Sequence, residues 1–307
     1  MSASGGTRAI IAALLANAGI ALAKFVGYMI TGSSSMLAEA VHSVADTSNQ
    51  GLLLLGGKRA QRAATAEHPF GYGRDRYFYA FVVALLLFSL GSIFAIYEGV
   101  HKLESEEPLT SPIVAVIILL VAIGLESFSF RTAIVESRPL KGDSTWWQFI
   151  RQAKAPELPV VLLEDLGALV GLILAFLGVG LTVLTGNPVW DALGTIAIGV
   201  LLGIIAVILI VEMKSLLIGE GASEPVLGRI VSRLESCDPV VRVIHIRTQY
   251  LGPDELLVAA KIALAPMMRI EEVARAIDDA EQRVRDAVPE ARLIYLEPDL
   301  DRSAVRG

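Results

Sequence analysis

The sequence holds a single cysteine, Cys237, among 307 residues. That excludes an internal disulfide and any metal cluster built from cysteines. Charge is scarce: Asp, Glu, Lys and Arg make up 19% of the chain, and histidine occurs four times. The formal net charge of −6 offers no basic surface, so no nucleic-acid partner is expected. There is no Gly-rich phosphate loop ending in Gly-Lys-Ser/Thr, so nothing supports drive by ATP. A His-Glu-x-x-His pair is missing too, so an intramembrane metalloenzyme is not expected. No cleavable signal segment precedes the first apolar run, which points to a cell membrane rather than an organelle.

What fills the chain is apolar. Hydrophobic residues reach 54%, and the mean hydropathy is +0.59, too high for an ordinary soluble protein. Six stretches approach the roughly 20 residues needed per membrane crossing: Arg8–Thr31, Met36–Gly57, Tyr77–Val100, Ser111–Phe130, Leu158–Thr185 and Val189–Val211. The link after the second carries Lys58, Arg59, Arg62, Arg74 and Arg76, and the link after the fourth carries Arg131, Arg138, Lys141, Arg151 and Lys154. The odd-numbered links are nearly free of basic residues, so both termini are expected in the cytoplasm. Beyond about Glu212 the pattern is that of a small soluble unit. The expected class is therefore an α-helical polytopic membrane protein, with a six-helix domain over residues 1–213 and a cytoplasmic α/β domain over 214–307.

The chain's chemistry centres on the second stretch, AEAVHSVADTSNQ, from Ala38 to Gln50. His42 and Asp46 are four residues apart and Asn49 follows three later, so in a helix all three share one face. An imidazole and a carboxylate one turn apart make half of a tetrahedral site for a divalent metal such as zinc. The competing reading is a histidine merely hydrogen-bonded to a neighbouring helix. Glu39 precedes them near the outer end as a vestibule or proton-handling acid, and Lys24 in the first stretch reads as a structural ion-pair partner.

Glu126, late in the fourth stretch, reads either as an entrance acid or as an interfacial charge. The fifth opens PVVLLEDLGALVG and brings Glu164 and Asp165. Neighbours on a helix lie about 100° apart, so the two cannot serve one ion in the same way. Buried acids without function are costly in a membrane, which marks them as functional. Asp191 near the outer end of the sixth is expected to cap the helix or sit at the interface, and Trp146, Trp147, Phe149 and Ile150 suggest an amphipathic segment on the membrane surface.

In the tail, helical periodicity over Ser223–Ser236 and Ile270–Ala287 alternates with strand patterns at Val240–Tyr250, Glu255–Leu264 and Arg292–Leu296. The order α-β-β-α-β predicts a split-βαβ, ferredoxin-like unit. His245, within a strand, reads as a satisfied strand residue.

Taken together, AEAVHSVADTSNQGLLLLG, HPFGYGRDRY, VVLLEDLGALVG, TGNPVWDALG and VRVIHIRTQYLG resemble the cation diffusion facilitators, the zinc-transporter family, and within it the branch containing the mitochondrial zinc transporter. The resemblance covers nearly the whole chain. It implies a metal site in which His42 and Asp46 are the ligands of the second span and Asp165 that of the fifth. The family's histidine four residues before that carboxylate is Val161 here, so Asn49, Glu164 or water is left for the fourth place. Losing a nitrogen donor makes the site harder and can admit Mn²⁺, Co²⁺ or Fe²⁺. His68 and His245 fall on further metal positions of the family whose partners are Tyr72 and Lys261, so a tail that forms a homodimer without a full metal cluster is implied.

The function expected on this footing is secondary active export of a divalent metal, Zn²⁺ first, in exchange for protons. No resident cofactor is expected, zinc being cargo. An exporter of organic cations using the same carboxylates is the reading from a different class.

Overall fold

In the computed structural model, the described backbone comprises residues 4–31, 34–105 and 112–301. Within it, the side chains of residues 4–7, 27, 28, 30, 31, 34–42, 45, 105 and 112 fall outside the description, and so do His42 and Glu39. The chain divides into two units.

The first unit is helical. It contains α1 (Ser4–Thr31), α2 (Ser34–Ala60), α3 (Asp75–Leu86), α4 (Phe94–Ser105), α5 (Pro112–Lys141), α6 (Trp146–Gln152), α7 (Glu157–Thr185) and α8 (Val189–Ile218). A π-helical segment, Leu87–Ile93, joins α3 to α4, so the three form one crossing. Among the described residues, five helices are long and apolar enough to cross a membrane: α1, the α3–α4 crossing, α5, α7 and α8.

The 27 residues of α2 match them in length, but α2 is less apolar because its polar residues are built into the bundle. Ser43, Asn49 and Gln50 are buried while Val44 and Leu55 are exposed. Polar-in, apolar-out is the arrangement a membrane imposes on a polar helix.

Helices α1, α2, α5 and α7 pack on one another, and α8 meets its neighbours through glycines. A methyl group added at Gly199 would lie 2.8 Å from the backbone nitrogen of Ile96, and one at Gly203 would lie 2.7 Å from Ser92 Oγ. These residues place α8 against the α3–α4 crossing at backbone distance, which small side chains alone permit. Lys102 Nζ reaches Asp191 Oδ2 at 3.1 Å, tying the last turn of α4 to the first turn of α8. Arg76 pairs with Glu157 at the other end of that crossing.

Helix α5 continues to Lys141, well past the expected end at Phe130. Ala133 and Ser137, each fully buried, carry the protein-facing stripe through the added turns. The short α6 opens with a capping box, in which Thr145 Oγ1 accepts from Gln148 N and Gln148 Oε1 accepts from Thr145 N. It buries Phe149 and Ile150 and leaves Trp147 exposed, as an amphipathic segment should.

The second unit contains α9 (Glu224–Glu235), β1 (Val240–Gly252), β2 (Glu255–Leu264), α10 (Ile270–Ala287) and β3 (Leu293–Leu300). The sheet runs β1-β2-β3, with β1 antiparallel and β3 parallel to β2. Because β3 pairs directly with β2, the α10 crossover is an unsplit βαβ, where the sequence pattern predicted a split one. Pairing from Leu257↔Leu293 through Leu264↔Leu300 carries β3 four residues beyond its expected end. Ile230, Leu234, Leu256, Ile262 and Val284 form the core between helices and sheet.

Residues Ala63–Arg74, the link from α2 to α3, group with this second unit. Gly73 sits so near β1 that an added methyl would lie 2.6 Å from the Leu251 carbonyl oxygen.

Candidate functional site

The first helical turns of α7 are buried on every side: each residue from Glu157 to Asp165 is enclosed. Two adjacent acids can therefore both face protein, and the angle between neighbours sends them to different helices. Glu164 turns to α2, where its Oε1 accepts from Asn49 Nδ2 at 3.0 Å and its Oε2 from Gln50 Nε2 at 3.0 Å. Asp165 turns to α5, where its Oδ2 accepts from Ser129 Oγ at 2.7 Å. Its other oxygen, Oδ1, is buried without a hydrogen-bond partner among the described residues. Gln50 is held in turn by α1, its Oε1 accepting from Asn17 Nδ2 at 3.2 Å.

Glu126 lies one turn before Ser129 on the same face of α5. It is 1% exposed, and its Oε2 has no hydrogen-bond partner among the described residues. Asp165, Glu164, Asp46 and Lys24 all lie within electrostatic range of it. The reading of Glu126 as an interfacial charge does not survive this burial. The expected end of the span at Phe130 had placed it near the surface, and the longer α5 places it inside.

Of the residues expected at the metal site, Asp46 is half-buried on α2, and Asn49, Glu164 and Asp165 are buried beside one another. His42 lies on α2, but its side chain is outside the described residues. Among the described residues no group of three or more His, Cys, Asp or Glu stands close enough to hold a metal ion. What the described part of the site contains is a set of carboxylates from three helices, enclosed by apolar spans and threaded by amide hydrogen bonds. Chemically it can attract and hold a small cation, or protons in its place.

The reading of the sequence assigned no role to Gln50, Asn17 or Ser129. Gln50 and Asn17 carried a usable signal, since an amide in a membrane span seeks a partner on another helix. Ser129 carried none, serine being common in such spans.

The two other metal positions implied in the sequence lie in the second unit. His68 is exposed and packs its ring edge-on to Tyr72, centroids 4.7 Å apart. His245 is exposed on β1 opposite Lys261, whose Nζ lies 2.8 Å from Glu297 Oε1 and 3.3 Å from Asp299 Oδ2. Those carboxylates raise the Lys261 pKa, so its charge stays between them.

Comparison with known proteins decides the family. The profile of the cation efflux transmembrane domain matches residues 10–218, and that of the cation efflux protein cytoplasmic domain matches residues 222–299. The chain belongs to the cation efflux family.

Members of the family similar to it include the mitochondrial proton-coupled zinc antiporter of Mus musculus, 36% identical over 225 residues, which are 72% of this chain and 39% of that protein. Metal tolerance protein C4 of Arabidopsis thaliana is 30% identical over 266 residues, 86% of this chain and 58% of that one. Magnetosome protein MamB of Magnetospirillum gryphiswaldense is 24% identical over 269 residues, 87% and 85% of the two chains. This cation efflux protein thus spans less than half the length of the antiporter it matches. Among solved structures, a C-terminal domain of MamM is 22% identical with a TM-score of 0.25, covering 26% of this chain and all of that one. The chain is a multi-pass membrane protein with a small C-terminal α/β domain.

Proposed function

We propose that this protein is a secondary antiporter that exports a divalent metal cation, Zn²⁺ first, in exchange for protons. The observation that carries the reading is the gathering of Asp46 from α2 and of Glu164 and Asp165 from α7, with Lys24 from α1, within electrostatic range of the buried Glu126 on α5. Burying acids from separate spans is expensive unless a cation or protons visit them. Family membership and the antiporter among its relatives support the metal and the proton as the two visitors.

In this reading His42, Asp46 and Asp165 hold the cargo, with Asn49, Glu164 or water completing the set. Metal binding needs the imidazole neutral and the carboxylates ionised. Protons arriving from the outer side compete for the same groups and release the metal. Coupling follows because one set of donors cannot hold both. Like its antiporter relative, the protein acts by transport rather than by a chemical conversion. It works as a homodimer in the cell membrane, joined through the C-terminal domain, with both termini cytoplasmic.

Zinc has rivals on one observation. Val161, where the family's histidine would stand, is fully buried and apolar, and the described donors are all oxygens. Such a set is hard enough to admit Mn²⁺, Co²⁺ or Fe²⁺.

The test is metal uptake into proteoliposomes under an imposed pH gradient, comparing the four metals, with Asp46→Ala and Asp165→Ala beside the parent. Gradient-driven zinc flux, lost in both variants, is the expected result. Flux of manganese or iron without zinc would replace the metal, and no flux of any metal in folded protein would overturn the reading.

A further inference from the structure

We propose that Glu164 is a positioning residue rather than a metal ligand: it clamps α2 to α7 through Asn49 and Gln50, and the clamp sets the spacing of Asp46 and Asp165. The inference rests on the metal-transport reading for what the clamp positions, and on geometry alone for the clamp itself.

Four buried polar side chains form one unbroken chain of hydrogen bonds across three helices. It runs from Asn17 on α1 to Gln50 on α2, from Gln50 to Glu164 on α7, and from Glu164 back to Asn49 on α2. Their exposures are 8%, 0%, 6% and 4%, so water does not compete for any of these bonds. Each carboxylate oxygen receives one amide hydrogen at 3.0 Å. Two amides from consecutive residues gripping both oxygens fix the carboxyl plane, much as a bidentate partner does.

Asp165, the next residue, has no such grip. One oxygen accepts from Ser129 and the other has no partner among the described residues. The adjacent acids therefore divide the labour: the one with both oxygens occupied locates the helices, and the one with an open oxygen meets the cargo. Asp46 lies three residues before Asn49, so α2 cannot slide or turn without breaking the Asn49 and Gln50 bonds. The clamp thus sets where Asp46 stands relative to Asp165. Asn49 gives an amide hydrogen to the clamp, so with Glu164 engaged either the Asn49 carbonyl oxygen or water is left for the fourth place on the metal.

The direction of one bond in this chain, between positions 50 and 164, can be reversed without losing a bond. Glu164→Gln removes the charge that strengthens both bonds, and one of its two amide partners meets a donor unless it turns its own amide over, so at best two neutral bonds replace two charge-assisted ones. Adding Gln50→Glu restores the match. The carboxylate at position 50 accepts from Asn17 and from the amide at position 164, whose carbonyl accepts from Asn49.

The experiment compares the parent, Glu164→Gln, the double variant Glu164→Gln with Gln50→Glu, and Asn17→Leu, as full-length protein. Thermal unfolding in detergent and the KM and kcat for Zn²⁺ in proteoliposomes are the readouts. The single change at 164 is expected to lower the Tm and raise the KM roughly tenfold, with the double variant recovering most of both. Asn17→Leu, which touches only the far end of the chain, is expected to raise the KM about threefold, the worth of one such bond between membrane helices.

A double variant that stays as impaired as Glu164→Gln overturns the clamp, as does Glu164→Gln behaving like the parent. Should Glu164→Gln fail to fold, recovery of folded protein in the double variant supports the clamp, and failure to recover it overturns the clamp. If the parent moves no metal while the exchange still restores the Tm, the transport reading falls and the clamp stands.

Discussion

Ser129 Oγ donates a 2.7 Å hydrogen bond to Asp165 Oδ2, joining α5 to α7 where both side chains are buried. The bond holds one carboxylate oxygen and thereby aims the other, Oδ1, which has no partner among the described residues.

Ser129→Ala should therefore loosen the aim of Asp165 without removing its charge. Loss of a group that orients a metal ligand costs roughly 10–100-fold in affinity or activity. The expected result is a fall of that order in initial zinc uptake, with Ser129→Thr close to the parent because it keeps the hydroxyl. Equal uptake by Ser129→Ala and the parent would show that the bond does not orient the ligand.

The Lys102–Asp191 pair is half-buried, with its two side chains 36% and 16% exposed. Asp191 is also held at its backbone nitrogen by Thr182 Oγ1 at 3.1 Å, so removing the carboxylate leaves the chain in place. A double-mutant cycle with Lys102→Met and Asp191→Asn should give a coupling of about 1 kcal/mol, near the top of the range for partly exposed pairs. Denaturant titration of the purified protein measures it.

Two glycines separate packing from helix propensity. Gly199→Ala pushes a methyl to 2.6 Å from the Ile96 side chain and 2.8 Å from its backbone nitrogen. Overpacking of this kind costs about 1–3 kcal/mol, so a lower Tm and reduced transport are expected. Gly180→Ala meets nothing within 4 Å and should be neutral, or stabilising by up to about 1 kcal/mol through helix propensity. Comparable losses in the two would show that close approach to Ile96 is not what position 199 is for.

In the second unit, burial and the neighbouring Asp279 carboxylate push the Cys237 thiol from an ordinary value of 9.0 up to about 11. Its Sγ donates to Asp279 Oδ2 at 3.2 Å. Between those two values the folded chain keeps a proton that the unfolded chain releases. The unfolded state binds fewer protons there, so stability falls as pH rises from about 9 towards about 11 and is untouched by this group below that window. Cys237→Ala should show a shallower fall in Tm over that interval than the parent. Parallel slopes would remove the thiol from the account.

Much of this was legible in the sequence because the physics is local. The membrane class and the long helices follow from uninterrupted apolar runs, and the limits of β2 and α10 fall where alternation and helical period predicted them, at Glu255–Leu264 and Ile270–Ala287. The divergence of Glu164 and Asp165 was also readable, since adjacent helical residues must point apart. What could not be read was the partner each would find. Asn17 and Gln50 lie 33 residues apart, and Gln50 and Glu164 lie 114 apart, so no periodicity connects them. Glu126 was misplaced for a different reason. The turns after Phe130 are rich in Arg, Glu and Ser and read as a loop, yet their buried side is small and apolar enough to extend α5.

The grouping of Ala63–Arg74 with the second unit bears on how the molecule is made. A ribosome delivers this link long before the strand it packs against, because Leu251 and Gly252 follow only after the four later spanning segments. Until then Gly73 has no surface to settle on, and the link waits as an exposed strand of chain between two inserted helices. Synthesis stopped after α8 would leave it in that state permanently, as a site for proteases to cut between α2 and α3.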